Sequence, residues 1–239
     1  MTQTGQGAGR HPKRPKQVRT DPVDGVLLVD KPTGMTSHDV VKKLRGQYAL
    51  RKVGHGGTLD PSATGLLIIL LGKGTKISQW IMGGDKVYEG VMRLGVRTNT
   101  QDAEGRVLSE EPADHVTRDQ LEAEMAKWVG DIQQVPPMVS AIKKEGVPLY
   151  KLARKGQDVE REPRLLHVYA FKLLDFTPPT ASFRVKCSKG TYVRTLCADV
   201  GDGLGCGAHL ASLRRTTSGS FTVEEALPFE ELAAMSRDE

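Results

Sequence analysis

Long apolar runs, aromatic side chains and paired cysteines are all scarce in this sequence of 239 residues. The longest apolar run, residues 66–71, has the length of a strand and falls far short of the ~20 residues that a membrane-spanning helix needs. The first residues contain no apolar core of the kind found in signal peptides, so we expect a cytoplasmic protein. Hydrophobic residues make up 38% and charged residues 26% of the chain, which is typical of a globular domain.

Cysteine is too rare and too scattered for a structural role in cross-linking. Cys187, Cys197 and Cys206 contain no C-x-x-C pair and are odd in number. This spacing argues against both a disulfide framework and a zinc site. We therefore predict that the three thiols are packing residues.

The net charge of +5 is distributed unevenly along the chain. Residues 1–20 carry five basic side chains and no acidic one, whereas residues 223–239 carry six acidic side chains and a single arginine. Residues 1–22 have almost nothing to bury and are predicted to form a disordered basic tail, either a solvated leader or a non-specific RNA contact. The remaining body is also basic, which suits a phosphate-rich partner.

The most informative stretch is residues 54–67, GHGGTLDPSATGLL, in which Asp60 stands between a run of glycines and a proline. Glycines permit positive φ and a close approach to a ligand, and Pro61 disfavours a helical conformation at Asp60. The following segment, residues 65–72, is predicted to be a strand buried on both faces. The same pattern is also typical of ordinary turns, so the residues alone leave both a reaction site and a plain turn open.

The rest of the chain alternates between predicted strands and helices. Helices are expected from Thr36 to about Tyr48, with Asp39 completing a capping box, and over residues 117–129 and 223–235. The predicted strands are 25–30, 86–95, 164–176 and 181–187, of which the last two pair across a Pro-Pro turn. In strand 86–95, period-two alternation places Tyr88, Met92 and Leu94 on one face.

Residues 24–222 resemble the TruB family of tRNA pseudouridine synthases, with all motifs in order. The resemblance is carried by Gly-Gly-Thr-Leu-Asp-Pro ending at Pro61, by Tyr88 with the following Leu-Gly and Asp102, by Gly-Thr-Tyr-Val-Arg ending at Arg194, and by the block 207–219. It implies an α+β fold with a large mixed, mostly antiparallel sheet, flanking helices and an RNA-gripping insertion over about 131–163. Residues 23–239 would form one catalytic domain. Many bacterial members continue into a C-terminal PUA domain, and we expect no such domain within residues 23–239.

The resemblance also implies roles for the catalytic residues. Asp60 corresponds to the nucleophile, and Arg194 to the arginine that pairs with it. A purely structural ion pair is the alternative for Arg194. Tyr88 would lie against the target uracil, where its phenol could stack on the base and accept a proton, although an aromatic on such a strand is usually a core residue.

Further residues are expected to bind the substrate, and these are His55, Lys31, Tyr192, Leu210, Leu213, Lys143 and Tyr150. His55 could fill the space of an extruded base, or it could be a turn histidine bonded to nearby backbone. Lys31 could be structural or could contact RNA, and the third alternative is an exposed turn lysine. Lys143 and Tyr150 lie in the basic, partly apolar insertion, which could grip RNA or be only a basic surface loop.

The expected activity is the isomerisation of uridine-55 in the T loop of tRNA to pseudouridine. Such a reaction detaches uracil and rejoins it through carbon, without redox chemistry or hydrolysis, so no metal and no cofactor are expected. The expected partner is the T stem-loop of tRNA, and the expected state is a monomer. Whether Asp60 attacks the base or the ribose, or assists elimination to a glycal, stays open.

Three other functions remain to be separated from this one. The chain could be an RNA-binding or tRNA-folding protein with little catalysis, for which Asp60→Asn would be neutral. It could be a metal-dependent hydrolase using Asp60 and His55, although no convincing ligand set is present. It could also be a guide-RNA-dependent rRNA pseudouridine synthase, which would be inactive on naked tRNA.

Overall fold

The computed structural model describes residues 23–153 and 155–235. The predicted basic tail, residues 1–22, lies outside the described residues. Within the described part of the chain, a large mixed sheet is flanked by short helices, as the α+β prediction requires. No helix in these two ranges is long and apolar enough to cross a membrane.

The main sheet has ten strands in the order β14-β1-β3-β12-β4-β11-β10-β7, with β13 added to β12 and β2 added to β3. Only β1–β14 and β3–β12 are parallel pairs. The strands are β1 (Gly25–Lys31), β2 (Val53–His55), β3 (Thr64–Leu71), β4 (Lys86–Leu94), β5 (Val96–Thr98), β6 (Val107–Glu110), β7 (Gly130–Gln134), β8 (Lys143–Lys144), β9 (Val147–Pro148), β10 (Arg164–Thr177), β11 (Thr180–Cys187), β12 (Ala208–Ser218), β13 (Phe221–Thr222) and β14 (Leu227–Pro228).

The helices are short and lie between the strands. They are α1 (Ser37–Gln47), α2 (Ser78–Gly83), α3 (Arg118–Ala126), α4 (Leu149–Ala153), α5 (Val193–Gly203) and α6 (Phe229–Ala234), with 3-10 turns at Gly72–Ile77 and Val223–Glu225. The predicted capping box of α1 is confirmed, because the Thr36 hydroxyl accepts from the Asp39 amide and the Asp39 carboxylate accepts from the Thr36 amide. Such a cap stabilises a helix by about 1 kcal/mol.

Strand β3 is buried on both faces, as its unbroken apolar sequence predicted. Leu67 and Ile69 join the main core on one face, whereas Leu66, Ile68 and Leu70 form a smaller cluster on the other. The alternation predicted for β4 is also confirmed, since Tyr88, Met92 and Leu94 all point into the main core. We call the side of the sheet that carries this main core the front face.

One part of the sequence-based topology is wrong. The acidic segment 223–235 is not one helix, because a 3-10 turn, β14 and α6 follow one another there. Pro228 supplies no amide hydrogen to continue a helix, and Leu227 pairs instead with Val29 of β1. Within the insertion predicted over about 131–163, the first residues belong to β7, which pairs with β10 in the main sheet, and residues 135–163 lie outside that sheet.

Other predictions hold. Strands β10 and β11 form the expected antiparallel hairpin around Pro178 and Pro179. All three cysteines are buried free thiols, which confirms their predicted role in packing.

The register of the central strands creates two rows of side chains, one residue apart, on opposite faces. The front row runs across four neighbouring strands and consists of Lys31, Gly65, Arg215 and Tyr88. The back row runs across the same part of the sheet and consists of Asp30, Arg214, Glu89 and Arg184. Because successive residues of a strand point to opposite faces, a shift of one residue would exchange the two rows.

Candidate active site

Asp60 lies on a loop, residues 56–62, whose backbone is held from several sides. Every carbonyl oxygen from residue 57 to residue 62 accepts a hydrogen bond. Arg215 donates to the first two, Ser37 donates to the carbonyl of Leu59, and Lys31 donates to the carbonyl of Pro61. Since a buried carbonyl without a partner is costly, this complete set of partners fixes the loop that presents the Asp60 carboxylate.

The glycines of this loop serve packing more than backbone freedom. Gly57 has a positive φ of 142°, whereas Gly54 and Gly56 do not. A methyl group at Gly56 would lie 2.3 Å from a side-chain carbon of Ile81 on α2. The expectation that the glycine run provides positive φ is therefore correct for Gly57 alone, and Gly56 allows α2 to pack against the loop.

The Asp60 carboxylate pairs with Arg194, as the resemblance implied. Nε of Arg194 lies 2.9 Å from Oδ2 of Asp60, and the arginine is only 3% exposed. Its other donors reach the Thr100 carbonyl at 3.0 Å and the Val139 carbonyl at 2.9 Å. The guanidinium is thus fixed from three directions, and its position fixes the orientation of the carboxylate.

Asp102 is a second carboxylate on Arg194, a role that sequence reasoning missed although the residue belongs to the recognised motif. Its Oδ2 lies 3.3 Å from Nη1 of Arg194. Its Oδ1 accepts from the Thr100 hydroxyl at 2.5 Å and from the Glu104 amide at 3.1 Å. One buried cation is therefore shared by two carboxylates, of which Asp102 is fully engaged and Asp60 is 40% exposed.

The electrostatics of Asp60 reflect opposing influences. Burial raises the pKa of its carboxyl group above the ordinary value, and the negative charge of Asp102 raises it further. Arg194 lowers the pKa, and Lys31 does so to a smaller extent. The net shift is upward, so Asp60 is a carboxylate that its surroundings solvate poorly and leave open for a reaction.

Tyr88 lies in the front row, directly across from Arg215 on the neighbouring strand. Burial raises the pKa of its phenol, while the nearby charge of Arg215 lowers it. Asp60 is also close enough to influence the pKa of Tyr88. The structure therefore brings together Asp60, Arg194 and Tyr88, the three residues expected to act in catalysis.

Lys31 differs from what a Lys-Pro turn suggests. It is 0% exposed, and its ammonium donates to the carbonyls of Pro32 at 2.8 Å, Met35 at 2.7 Å and Pro61 at 3.3 Å. Burial lowers the pKa of its amine to about 8. The exposed-lysine alternative is wrong, because the side chain is buried and its three ammonium hydrogens are all donated to backbone carbonyls. Lys31 is a structural residue that supports the loop from below.

His55 and Tyr192 lie near the loop. His55 ends β2 rather than lying in a turn, and its buried Nδ1 has no hydrogen-bond partner among the described residues. Burial lowers the pKa of His55, and Arg215 lowers it further. Tyr192 is the N-cap residue of α5, and its backbone N–H and carbonyl form a reciprocal pair of hydrogen bonds with the Gln134 side chain. Burial raises the pKa of the Tyr192 phenol, which also feels the charges of Arg194 and Asp60.

The remaining predicted residues fall into two groups. Leu210 and Leu213 lie on β12, where Leu210 is buried opposite Met92 and Leu213 is half-buried opposite Gly90. Lys143 and Tyr150 lie on the segment outside the main sheet, Lys143 exposed on β8 and Tyr150 half-buried on α4. The link between that segment and the site is made by the carbonyl of Val139, which bonds Arg194.

Sequence reasoning also missed Arg215 and Ser37. Both are buried and both bond the backbone of the Asp60 loop. Adjacent arginines on a strand point to opposite faces, so the pair Arg214-Arg215 signalled one inward cation without showing which of the two it was. Nothing in the sequence near Ser37 indicates its contact with Leu59.

The arrangement provides one oriented carboxylate, a neighbouring phenol and three buried cations within a fixed framework. Such a set can supply a nucleophile and a proton acceptor to a bound molecule. Among residues 23–153 and 155–235, no group of three His, Cys, Asp or Glu side chains is placed to hold a metal ion.

Comparison with known proteins assigns two consecutive parts of the chain to models of pseudouridylate synthases. Residues 45–193 match the family model described as TruB family pseudouridylate synthase (N terminal domain), and residues 194–239 match that of the tRNA pseudouridylate synthase B C-terminal domain. The boundary between the two falls just before Arg194. The site therefore combines Asp60, Tyr88 and Asp102 from the first part with Arg194 and Arg215 from the second.

Curated relatives match over most of the chain. The protein named tRNA pseudouridine synthase B from Opitutus terrae is 54% identical over 213 residues, covering 89% of this chain and 88% of that protein. The protein of the same name from Ralstonia nicotianae is 52% identical over 234 residues, covering 96% of this chain and 74% of that protein.

Solved structures share the fold. A chain of a Cbf5-Nop10-Gar1 complex matches with a TM-score of 0.70 at 33% identity, covering 92% of this chain. The present chain spans 56% of the length of that chain. A second match, with a TM-score of 0.66 at 30% identity, is an H/ACA RNP bound to a substrate RNA containing 2'-deoxyuridine.

Proposed function

Because the chain belongs to the TruB family of pseudouridylate synthases, we propose that it isomerises uridine-55 in the T loop of tRNA to pseudouridine, with Asp60 as the nucleophile. The observation that carries this proposal is the 2.9 Å contact between Asp60 and the buried Arg194, on a loop whose carbonyls from residue 57 to residue 62 all accept hydrogen bonds. The relatives named tRNA pseudouridine synthase B support tRNA as the substrate. We propose that the protein acts in the cytoplasm as a monomer.

The reaction is an isomerisation in which every bond broken is balanced by one formed. The N1–C1′ bond of the nucleotide breaks, uracil rotates, and a C5–C1′ bond forms. The C5 proton leaves, and N1 gains a proton. Asp60 assists bond cleavage by attack on the base, by attack on the ribose, or by removing a ribose proton. Arg194 keeps the carboxylate ionised and oriented in each case.

Tyr88 is the proposed acceptor of the C5 proton, either directly or through a water molecule. Its phenol lies in the front row beside the Asp60 loop, next to the positive charge of Arg215. Burial holds the pKa of the Tyr88 phenol above its ordinary value, and Arg215 opposes this shift because a neighbouring cation favours the phenolate, the form that can accept a proton.

Substrate binding requires the uridine to leave its stack, which costs a few kcal/mol. We propose that His55 fills the vacated space and that Tyr192, Leu210 and Leu213 line the pocket. Lys143 and Tyr150 would hold the RNA from the insertion. Phosphate contacts by lysine and arginine make binding strongly dependent on salt.

The direct test uses an unmodified tRNA transcript carrying tritium at C5 of its uridines. Isomerisation releases that tritium to water, and mapping of the product locates the pseudouridine. We expect release from the wild-type transcript and none from a transcript with cytidine at the T-loop position. Release from the mutated transcript at an unchanged rate would contradict the proposed position.

A guide-RNA-dependent synthase is the second candidate, because chains of a Cbf5-Nop10-Gar1 complex and of an H/ACA RNP are similar in fold. It predicts no release from naked tRNA and release from an rRNA fragment when a guide RNA is added. An RNA-binding protein without catalysis predicts tRNA binding and no release under either condition.

A further inference from the structure

Among the residues that the structure describes, Arg215 is the largest fully buried side chain, with 2% of its surface exposed. It lies on β12 between Gly65 of β3 and Tyr88 of β4. A methyl group at Gly65 would lie 2.3 Å from the Arg215 carbonyl, so the absence of a side chain there allows the two backbones to approach. Arg215 is thus placed at the centre of the front row.

The guanidinium forms no ion pair with any carboxylate in the described ranges. It bonds carbonyl oxygens instead, with Nε 2.8 Å from Leu66 O, Nη2 3.2 Å from Gly57 O and Nη1 3.4 Å from Thr58 O. Two of these three acceptors belong to the Asp60 loop, immediately before the nucleophile. Burial of a cation without a counter-ion is expensive, so its presence needs an explanation beyond packing.

Arg214 provides an internal comparison. It is the preceding residue on the same strand, but it points to the back face and pairs with both carboxylate oxygens of Asp30, at 3.0 and 2.7 Å. Its side chain is 41% exposed. A structural arginine on this strand therefore has a carboxylate partner and access to water, whereas Arg215 has neither.

The geometry points to Arg215 as a positioning residue that joins the two halves of the proposed reaction. Its guanidinium donates to the carbonyls of Gly57 and Thr58, and these bonds fix the backbone that sets the position of Asp60. Its charge stands beside the phenol of Tyr88, where proton acceptance creates negative charge. This role rests on the function proposed above. It gives a function to Arg215, a buried cation that takes no part in the Asp60–Arg194 ion pair.

The charged and titratable groups that face Tyr88 come from three elements. Arg215 faces it from β12, Cys187 from β11 and Asp60 from the loop. Arg215 is the only one of these three that favours the phenolate, since Cys187 and Asp60 both raise the pKa of Tyr88. The loss of this one charge should therefore move the Tyr88 titration upward.

Two substitutions of Arg215 separate the hydrogen bonds of its guanidinium from its positive charge. Arg215→Lys keeps the positive charge but cannot bond three carbonyls at once, and Arg215→Met removes the charge at similar volume. The matched controls are Arg214→Lys and Arg214→Met. For each protein, the measurements are the single-turnover rate of tritium release from tRNA across pH, the Kd for tRNA, and the melting temperature.

We expect Arg215→Lys to lower the single-turnover rate about 10- to 100-fold while the Kd changes less than about threefold. We expect Arg215→Met to shift the rise of rate with pH to higher pH, while Arg215→Lys keeps the wild-type profile. The Arg214 variants should retain the rate and profile of the wild type. If Arg215→Met does not fold, the rate and pH profile of Arg215→Lys decide the matter.

A folded Arg215→Lys whose rate stays within twofold of Arg214→Lys overturns the inference, even if its melting temperature falls, because Arg215 would then be structural only. A shift of the pH profile in Arg214→Met equal to that in Arg215→Met also overturns it. An inactive wild type is a different result, since it refutes the proposed function and not the position of Arg215.

Discussion

The two rows that cross the sheet both contain basic side chains, but these differ in burial and in whether a carboxylate pairs with them. In the back row, Arg214 pairs with Asp30 and Arg184 pairs with Glu89, and the two arginines are 41% and 57% exposed. In the front row, Lys31 and Arg215 are buried and donate to backbone carbonyls, and Arg215 also bonds the phenol of Tyr88. No carboxylate of the described chain pairs with either. One residue of strand register separates the two arrangements.

This difference shows where the fold tolerates unfavourable electrostatics. Exposed ion pairs such as those of the back row contribute about 0–1 kcal/mol each, because water solvates both partners well. Buried cations without counter-ions cost several kcal/mol, and the front row contains two of them beneath a carboxylate with a raised pKa. Buried charges without counter-ions that cluster at one loop indicate a reaction site, whereas ion pairs in contact with water are typical of a protein surface.

The largest effect on this comparison should come from Arg194→Lys, set against Arg184→Lys in the back row. Lysine cannot bond Asp60, Asp102 and the carbonyls of Thr100 and Val139 together, so Asp60 loses its fixed orientation. We expect the single-turnover rate to fall at least about 100-fold for Arg194→Lys and to remain unchanged for Arg184→Lys. Equal rates for the two variants would remove the distinction between the rows.

Gly65→Ala should disturb the front row by packing. The new methyl group would lie 2.3 Å from the Arg215 carbonyl, at a residue with a φ of 96°. We expect the free energy of unfolding, measured in urea, to fall by about 3 kcal/mol or more. Gly205→Ala is the control, because Gly205 also has positive φ but has open space around it. This substitution should lower the free energy of unfolding by only about 1 kcal/mol. A similar loss in both variants would mean that backbone strain alone matters at Gly65.

Asp102→Asn should lower the single-turnover rate moderately. The pH dependence of that rate should show how the charge of Asp102 acts on Asp60. Asp60 must be ionised to act, so the rate falls as pH drops through its raised pKa. Asparagine can still accept from Arg194 but lacks the charge that raises the pKa of Asp60. We therefore expect a rate about tenfold lower, with the acidic limb of the profile moved to lower pH. Movement to higher pH would instead mean that Arg194 had left Asp60.

The smallest effect should come from removing a back-row pair. Arg184 is exposed and Glu89 is half-buried, and their contact joins two neighbouring strands. We expect the double variant Arg184→Gln/Glu89→Gln to change the free energy of unfolding by less than about 0.5 kcal/mol and to leave the rate of tritium release unchanged. A loss of several kcal/mol would show that the back row also carries strain.

Local patterns predicted the strands β1, β3, β4, β10 and β11, the capping of α1 and the burial of β3, because these depend on neighbouring residues. The pairing of Asp60 with Arg194 came from the family resemblance and is confirmed by the contact. Lys31 was harder, since its turn is polar in sequence and its burial depends on Pro61, thirty residues later. The face of Arg215 depends on the register of β12, which has irregularities beside Leu210 and Arg215. Contacts distant in sequence set both positions.

The central claim is that the oriented carboxylate of Asp60 performs the isomerisation. The most direct test compares wild type and Asp60→Asn for pseudouridine formation in an unmodified T-arm stem-loop with a chelator present. The raised pKa of Asp60 means that its ionised form favours the unfolded state, so the neutral variant should melt no lower than wild type. We expect product from wild type and none from a folded variant that still binds the stem-loop. Product formation by Asp60→Asn at the wild-type rate would contradict the account.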